Sequence, residues 1–503
     1  MAKFYVTTPI YYVNDKPHIG HVYSTVAADI LARYHRMLGD EVMFLTGTDE
    51  NSQKGVDAAE LAKQDVQEYI DQMAARWEST FDSLGFTNND FIRTTQDRHV
   101  TAATKFFKKV YDQGDIYEGE YQGLYCTGCE AFLNESDLED GNCPNHKKPP
   151  EQIKEKNYFF KLTKYRSALL EHIKKNPEFI MPESRRNEVI SYIDNFMEDI
   201  SISRASMKWG IPVPIDTDQR IYVWFDALIN YISAIGYTDE TDQFNKFWPA
   251  DVHIVGKDII KFHCALWPAM LLAAGLPLPK TVFAHGFFTI NGDKISKSLG
   301  NAIDPVELTQ KYGIDPVRYF LMREIHFGED GDFSEERMVE RYNGELANDL
   351  GNLLSRTLAM TEKYCDGLVP EKAEGFLKDD WQQYNQAMNE LRFHEAIEVC
   401  WNLVRQANQY VEQQKPWELA KQDDKKPLEN ALYVLLETLR HVAWMIYPFM
   451  TETSEAMFKQ LGIQIPKEFE QSFESAWVWG ELAPGGIIKK GENLFPKLET
   501  CNL

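Results

Sequence analysis

Two short motifs place phosphate-binding groups at defined points of the chain. Pro17-His18-Ile19-Gly20-His21 lies between a strand-like run and a helix-like run. A helix N-terminus suits phosphates, and Gly20 lets a ligand approach the backbone closely. His18 and His21 are three residues apart, so both can face one side of the first turn and donate to phosphate oxygens. Alone, this motif is equally compatible with two ordinary turn histidines.

The second motif, Lys294-Ile295-Ser296-Lys297-Ser298, follows the last strand-like run and a turn. Two lysines three residues apart on a mobile loop can clamp a polyphosphate as point charges. An exposed charged loop would contain the same residue types. The two motifs in this order are far more specific than either alone.

A third motif has the spacing of metal ligands. Cys126-x2-Cys129 and Cys143-x2-His146 are separated by 13 residues. Three thiolates and one imidazole complete a tetrahedral shell, which predicts one structural zinc ion rather than a catalytic one. The ion would stabilise this segment in place of the hydrophobic core that the segment lacks. The other four of the seven cysteines are scattered, which indicates a reducing cytosol rather than a disulfide framework.

Strand-like and helix-like runs alternate through much of the chain, which predicts an α/β fold with a Rossmann-like parallel sheet. Strands are expected at 3–13, 41–46, 220–225, 252–255 and 282–290, and helices at 18–31, 56–84, 226–231 and 259–274. After about residue 348 only helical periodicity remains. The predicted domains are a catalytic domain (1–114 and 221–292), a connective insertion (115–220), a loop and stem-contact region (293–350) and a helical domain (351–503).

Aromatic residues follow several predicted strands. They occur in Tyr11-Tyr12, in the run from Trp224 to Tyr231, and in the run from Gly256 to His263. Such residues can enclose an apolar pocket of thioether size, and sulfur contacts aromatic rings favourably. Physical reasoning alone does not choose methionine over leucine as the occupant.

The formal charge of −24 argues against general nucleic-acid binding. Any RNA would have to bind local basic segments, such as 105–109, 161–175 and 185–186, each of which could also be a solvated helix face. The N-terminus shows no signal-peptide pattern, and the most apolar stretch, 264–278, is too short to span a bilayer.

The motif pair resembles the signature of class I aminoacyl-tRNA synthetases. Together with Thr8–Asn14, Trp224–Tyr231, Gly256–His263 and the single zinc knuckle, the sequence resembles methionyl-tRNA synthetases from residue 4 to about 450. The resemblance implies a methionine site formed by Ile10, Tyr12, Asp49, Trp224, Ala227, Ile259, Tyr231 and His263. In that site Tyr231 and His263 would face the sulfur, and Asp49 would hold the α-ammonium group.

The resemblance also implies an ATP site and an anticodon site. ATP would contact His18, Gly20, His21, Gly256, Asp258 and Lys297, with Asp258 at the ribose. Asn352, Arg356 and Trp417 would read the CAU anticodon, because Asn and Arg can bond splayed bases and Trp can stack on them. The resemblance also places Arg204, in Ile202-Ser203-Arg204, where the family has a functional arginine.

The implied reaction is attack of the methionine carboxylate on the α-phosphorus of ATP, followed by transfer to the 3′ end of initiator and elongator tRNA(Met). Catalysis would depend on positioning and on charge stabilisation by His18, His21, Lys294, Lys297 and Mg²⁺. No nucleophilic side chain is needed. No further tRNA-binding barrel follows residue 503, which favours a monomer. The scattered cysteines and the absence of a signal-peptide pattern or a membrane-length apolar stretch favour a cytoplasmic protein without membrane association.

Two departures from the family pattern stand out. The usual Asp-Glu-His-Gly reads Asp49-Glu50-Asn51-Ser52 here, so the loop after Asp49 is expected to differ in shape. Lys-Ile-Ser replaces the commoner Lys-Met-Ser.

Two alternative functions remain open. A non-catalytic tRNA-binding paralogue would be expected to lose His18, His21 or Lys297, all of which are present. A synthetase for another apolar amino acid, such as leucine, would be expected to carry a larger editing insertion.

Overall fold

The computed structural model describes residues 2–129, 131–133, 135, 138–144, 147–239, 241–290, 293–294, 303–464 and 476–499. The chain divides into two compact units. We call Lys3–Ala28 with Val42–Gly286 the sheet unit, and Met1–Ala2, Asp29–Glu41 and Phe287–Leu503 the helical unit.

The strands occur in both units. In chain order they are β1 (Lys3–Tyr12), β2 (Glu41–Asp49), β3 (Asp90–Arg93), β4 (Ile116–Cys126), β5 (Ala131–Leu133), β6 (Glu151–Phe160), β7 (Ile180–Met181), β8 (Ile200–Ser201), β9 (Ser203–Arg204), β10 (Pro212–Val213), β11 (Asp216–Ile221), β12 (Val252–Gly256), β13 (Thr281–His285), β14 (Phe288–Ile290), β15 (Asp293–Lys294) and β16 (Gly331–Asp332).

The helices are distributed along the whole chain. They are α1 (Ile19–Met37), α2 (Gln53–Ala62), α3 (Val66–Ser83), α4 (Asp97–Asp112), α5 (Arg166–Lys175), α6 (Glu183–Asn195), α7 (Val223–Ala227), α8 (Asn230–Ser233), α9 (Asp242–Phe247), α10 (Trp267–Ala273), α11 (Pro305–Tyr312), α12 (Ile314–Arg323), α13 (Glu335–Arg341), α14 (Asn352–Tyr364), α15 (Asp380–Asn389), α16 (Phe393–Gln414), α17 (Pro416–Leu419), α18 (Lys426–Ile446) and α19 (Thr451–Gln460). Short 3₁₀ stretches lie at Leu162–Tyr165, Pro177–Phe179, Tyr237–Asp239 and Lys257–Ile259, and π-helical stretches at Phe262–Leu266 and Tyr342–Gly351.

The sheet unit is built on a six-stranded sheet with the order β3-β2-β1-β12-β13-β7. The pairs β2–β3, β1–β12, β12–β13 and β13–β7 are parallel, as predicted. Residues along β1, β2 and β12 are almost all buried, because a parallel sheet is covered on both faces. Gly47 in β2 approaches β3 so closely that a Cβ atom would lie 1.9 Å from the carbonyl oxygen of Ile92.

Part of the predicted insertion (115–220) forms a second, antiparallel sheet with the order β5-β4-β6-β8, whereas β7, within the same range, belongs to the six-stranded sheet. The long β4–β6 hairpin of the antiparallel sheet pairs Ile116 with Phe160 at one end and Tyr125 with Glu151 at the other. The cysteine motif begins where β4 ends, at the far end of this hairpin. The hairpin therefore fixes the position of the first two predicted zinc ligands.

Two predicted strands were wrong in extent. The expected strand 220–225 ends at Ile221, and Trp224 and Phe225 belong to helix α7, which begins at Val223. The expected strand 282–290 is divided between β13, in the six-stranded sheet, and β14, which pairs with β15 and β16 in the helical unit. Periodicity cannot separate a short buried strand from a short buried helix, because both are continuously apolar.

The helical unit confirms the all-α C-terminal region: all elements after residue 348 within the described ranges are helices. The centre of this unit is α18, which is buried along almost its whole length from Leu428 to Ile446 and packs against α14, α16, α17 and α19. No helix in the described part of the chain is long and apolar enough to cross a membrane.

Candidate active site, metal centre and anticodon-binding residues

The predicted ligand-binding residues of the sheet unit lie at the carboxyl end of the parallel sheet. Strand β1 is central, with β2 on one side and β12 on the other. Strand β1 ends at Tyr12, β2 ends at Asp49, and β12 ends at Gly256. The chain continues from β1 to the neighbouring strand on one side and returns much later on the other side. Open α/β sheets bind ligands at such a switch point.

His18 and His21 come together at the start of α1. Their rings stack with centroids 3.7 Å apart, and the backbone N–H of His18 donates to His21 Nδ1 at 3.2 Å. The N–H of Gly20 donates to His18 Nδ1 at 3.1 Å. A Cβ atom on Gly20 would lie 3.0 Å from the His18 ring, so a larger residue here would displace this imidazole slightly. The motif thus presents two partly exposed imidazoles at a helix N-terminus, where an anion is stabilised.

Aromatic residues hold His21 in place from the other side. The ring of Tyr11 packs edge-on against His21 at 5.1 Å and stacks on Trp77 at 5.0 Å. The Tyr11 hydroxyl donates to the His21 carbonyl at 3.2 Å. Burial raises the pKa of Tyr11 to about 12, so this phenol stays a neutral donor.

The remaining residues predicted to act on ATP lie at or just after the end of β12, and in β15 or beyond it. Gly256 ends β12 and precedes a 3₁₀ turn that carries Asp258 with its side chain exposed. Lys294 lies in the short strand β15, whose backbone pairs with Thr289 in β14, rather than in a loop as predicted. Lys297 lies outside the described residues.

Tyr231 and His263 form a buried pair. The hydroxyl of Tyr231 and Nε2 of His263 are 2.8 Å apart, and His263 Nδ1 lies 3.1 Å from the carbonyl of Ile259. A carbonyl only accepts, so Nδ1 carries the proton and Tyr231 donates to Nε2. Burial lowers the pKa of His263 to about 4, which keeps the imidazole neutral near pH 7. Of the two residues predicted to face the sulfur, only Tyr231 therefore has a donor that can be redirected to a ligand.

A stacked aromatic pair stands beside Tyr231 and His263. Trp224 lies parallel to Phe262 with ring centroids 4.0 Å apart, and its edge faces His263 at 6.2 Å. The π-helical stretch Phe262–Leu266 brings Phe262 and His263 to this position. Such π-helical insertions are frequent at functional sites. Ile10 and Ile259 are partly buried against the same core, and Ala227 is buried at the end of α7.

Asp49 and Tyr12 lie at the ends of their strands. Asp49 is buried at the end of β2, and Tyr12 is partly exposed with the Lys54 ammonium group 4.0 Å from its ring centroid. Asn51 and Ser52, which were predicted to depart from the family pattern, lie in the loop after Asp49. Ser52 caps α2 by accepting from the N–H of Gly55, and Asn51 bonds to Asp226.

Three of the four predicted metal ligands converge. The Sγ atoms of Cys126, Cys129 and Cys143 lie within 4.8 Å of one another, and the Cys129–Cys143 separation is 3.5 Å. A tetrahedral ion with Zn–S bonds of about 2.3 Å would place its sulfur ligands about 3.8 Å apart, so the donor set fits zinc. The N–H of Cys129 donates to Cys126 Sγ at 3.4 Å, which suits a thiolate. His146 lies outside the described residues.

Arg204 is buried at the edge of the insertion. Its Nε lies 3.3 Å from a carboxylate oxygen of Glu155, and its guanidinium lies 4.1 Å from the ring centroid of Tyr125. Tyr125 directly precedes the first cysteine of the metal motif. Arg204 therefore stabilises the end of the hairpin that carries the cysteines.

The predicted anticodon readers lie on two helices of the helical unit. Asn352 begins α14 with its side chain exposed, and Arg356 follows one turn later on the same face. The Arg356 guanidinium pairs with the Glu412 carboxylate of α16 at 3.0 Å. Trp417 is partly exposed on the short helix α17, which begins after Lys415 adopts a left-handed conformation.

Several site residues were missed by the sequence analysis. Phe262 lies within the run from Gly256 to His263, but only the structure shows that its ring stacks on Trp224. His253, buried in β12, lies under the Tyr231 ring with centroids 4.2 Å apart and bonds to Thr7 at 2.7 Å. His99 and Asp226 form a buried pair at 2.8 Å. A histidine inside an apolar strand was the one available signal, and it pointed to His253.

Comparisons with known proteins agree with this arrangement. The family model "tRNA synthetases class I (M)" matches residues 4–149 and 136–358, and "Anticodon-binding domain of tRNA ligase" matches residues 375–483. With this sheet order and the histidine motif at the switch point, the chain belongs to the class I aminoacyl-tRNA synthetases.

Individual relatives indicate which family within class I the chain belongs to. The methionine–tRNA ligase of Thermotoga maritima is 47% identical, over 99% of this chain and 81% of that protein. The methionine–tRNA ligase of Rickettsia conorii is 46% identical, over 99% of both chains. A solved structure of Mycobacterium tuberculosis methionyl-tRNA synthetase in complex with methionyl-adenylate has a TM-score of 0.94 and 39% identity, over 99% of this chain and 100% of that one. Within class I, the chain belongs to the methionyl-tRNA synthetase family.

Proposed function

We propose that this chain activates L-methionine with ATP to methionyl-adenylate, releasing pyrophosphate, and then transfers methionine to the 3′ end of tRNA(Met). The observation that carries the proposal is the buried pair of Tyr231 and His263 beside the Trp224–Phe262 stack, at the switch point of a class I sheet. This arrangement offers aromatic walls together with the phenolic donor of Tyr231, which suits a thioether.

In the activation step the protein positions two substrates. Asp49 holds the methionine ammonium group, while Ile10, Tyr12, Trp224, Ala227 and Ile259 enclose the side chain. Tyr231 donates to the sulfur by releasing its bond to His263. The carboxylate is then directed at the α-phosphorus of ATP, so that the reaction becomes effectively unimolecular.

The phosphates of ATP bind at the N-terminus of α1. His18 and His21 donate to phosphate oxygens, Gly20 allows their close approach, and Gly256 and Asp258 hold the nucleoside. Lys294 and Lys297 stabilise the charge that develops on pyrophosphate as it leaves. Mg²⁺, bound together with ATP, supplies further neutralisation of the phosphate charge.

Cys126, Cys129, Cys143 and His146 hold one structural zinc ion, since three thiolates and an imidazole complete its shell. In the helical unit, Asn352, Arg356 and Trp417 read the CAU anticodon of initiator and elongator tRNA. The monomeric state, the cytosolic location and the five domain boundaries stay predictions from the sequence.

A charging assay tests the whole reaction. Purified protein is incubated with ATP, radiolabelled methionine and a tRNA(Met) transcript that carries the CAU anticodon, and with a matched transcript whose anticodon is altered. The proposal predicts that methionine is attached to the CAU transcript and far more slowly to the altered one. Binding of the CAU transcript without any attachment would instead indicate the non-catalytic paralogue.

A further inference from the structure

A buried polar network joins the loop after β2 to the helix that carries Trp224. The side-chain amide of Asn51 donates to one oxygen of the Asp226 carboxylate at 2.7 Å. His99 Nε2 approaches the other oxygen at 2.8 Å, while His99 Nδ1 bonds to the Ser233 hydroxyl at 2.8 Å. Asn51, His99 and Asp226 are each at most 3% exposed. A buried carboxylate is expensive unless it is fully bonded, so this network strongly constrains the three elements it joins.

The two ends of the Asn51–Asp226 bond lie next to residues of the proposed methionine site. Asn51 follows Asp49, the proposed ammonium ligand, by two residues. Asp226 follows Trp224 by two residues and directly precedes Ala227. The bond therefore ties the part of the site that would bind the ammonium group to the wall that would enclose the side chain.

The other residues of the loop bond elsewhere. The Glu50 carboxylate accepts from Thr48 at 2.7 Å and from the Arg93 guanidinium at 2.7 Å. The Glu50 carbonyl accepts from the Trp209 indole at 2.8 Å. Ser52 accepts from the helix α2 backbone. Within the segment from Glu50 to Ser52, Asn51 therefore provides the side-chain hydrogen bond to α7 in the described part of the chain.

We propose that Asn51 is a positioning residue for methionine. Through its bond to Asp226 it sets the separation of Asp49 from Trp224, and so it sets the affinity for the amino acid rather than for ATP. This inference rests on the proposed function, since it deepens the description of the same site.

The experiment is a reciprocal exchange of the two side chains, read out by amino-acid-dependent ATP–pyrophosphate exchange. Asn51→Asp places two carboxylates together in a buried site, and Asp226→Asn leaves two amides facing each other. The double variant restores the bond between positions 51 and 226 with donor and acceptor exchanged, because Asn at 226 can donate to Asp at 51 and still accept from His99. The longer bond from the Asn51 amide to the Thr94 carbonyl, at 3.3 Å, is lost in the double variant and in Asn51→Asp alike.

Asn51→Asp is expected to raise the KM for methionine by about tenfold or more while the KM for ATP stays within about twofold, because an unfavourable buried charge pair costs more than about 1.4 kcal/mol. Asp226→Asn is expected to act in the same direction. The double variant is expected to lower the KM for methionine at least about threefold below that of Asn51→Asp, which corresponds to about 0.7 kcal/mol.

Two controls keep the test decisive. Asn195→Asp makes the same change at an exposed helix end, where the amide donates to the Ser191 carbonyl at 3.0 Å, and should leave both KM values unchanged. If Asn51→Asp cannot be purified in folded form, Asn51→Ala takes its place as the single variant, with melting temperature as the check on folding.

The inference is overturned if the folded double variant is no better than the worse single variant, or if the KM values for methionine and ATP rise equally. Absence of methionine-dependent exchange in the wild-type chain would count against the proposed function itself. The two failures are therefore distinguishable.

Discussion

The phenol of Tyr231 provides a sharp test of the methionine site, because it is the one donor of the Tyr231–His263 pair that can turn toward a sulfur atom. Tyr231→Phe keeps the ring and removes the hydroxyl. In the free protein the change leaves His263 Nε2 buried without its donor, which costs roughly 1–3 kcal/mol of folding stability.

Tyr231→Phe should also change the preference for methionine over an amino acid without sulfur, and this effect tests the role of the hydroxyl directly. A hydrogen bond to a neutral acceptor contributes about 0.5–1.5 kcal/mol, which corresponds to roughly two- to thirteen-fold in relative rate. Norleucine has a methylene group in place of the sulfur and cannot accept this bond. Because Tyr231 gives up its bond to His263 to reach the sulfur, this factor is an upper bound. The ratio of kcat/KM for methionine to that for norleucine should therefore fall in Tyr231→Phe, by at most about this factor.

The assay is ATP–pyrophosphate exchange with each amino acid in turn. Tyr384→Phe is a matched control, because it removes another fully buried hydroxyl, which donates to the Met445 carbonyl at 2.7 Å in the helical unit. This control should lower stability and leave the ratio unchanged. An unchanged ratio in folded Tyr231→Phe would refute the assignment of the hydroxyl to the sulfur.

Four further outcomes are expected. Lys297→Ala should lower the rate of exchange by about a hundredfold or more while methionine binding, followed by fluorescence titration, changes little, as for a group that acts in the transition state; equal effects on both would refute this role. Cys126→Ser should lose most of its bound zinc in elemental analysis, and full retention would contradict the metal site. Trp417→Ala should slow tRNA charging by roughly 5- to 150-fold, for the loss of about 1–3 kcal/mol of stacking, while exchange stays within about twofold; loss of both activities would indicate a folding role. The folded-state pKa of His263, about 4, lies below the unfolded value of about 6.5, so the unfolded chain binds more protons between these values. The contribution of neutral His263 to the free energy of unfolding is therefore complete above pH 6.5 and is lost as the pH falls toward 4. The melting temperatures of wild type and His263→Gln should converge over that interval. A constant difference between them would contradict the assignment.

The parts of the site that are local in sequence could be predicted well. His18 and His21 come together because they are three residues apart at a helix start, and the structure stacks their rings. Cys126 and Cys129 converge because two intervening residues form a tight turn, and Cys143 joins them. In both cases the spacing alone constrains the geometry.

The parts that depend on tertiary packing could not be predicted. Asn51 and Asp226 are 175 residues apart, and their bond exists only because the sheet brings the two segments together. The stacking of Phe262 on Trp224 depends on a π-helical stretch, which has no sequence periodicity of its own. Asn51 stands out in the sequence by its difference from the residue expected in the resembling family, but its partner is visible only in the folded chain.

The most direct test of the central proposal is amino-acid-dependent ATP–pyrophosphate exchange without tRNA, with methionine, leucine, isoleucine, valine and cysteine as separate substrates and zinc-replete protein. The site described here predicts exchange that depends on methionine and is negligible with the other four. Exchange with leucine or another of these amino acids in place of methionine would contradict the assignment of the pocket. No exchange with any of them would contradict catalysis of the activation step.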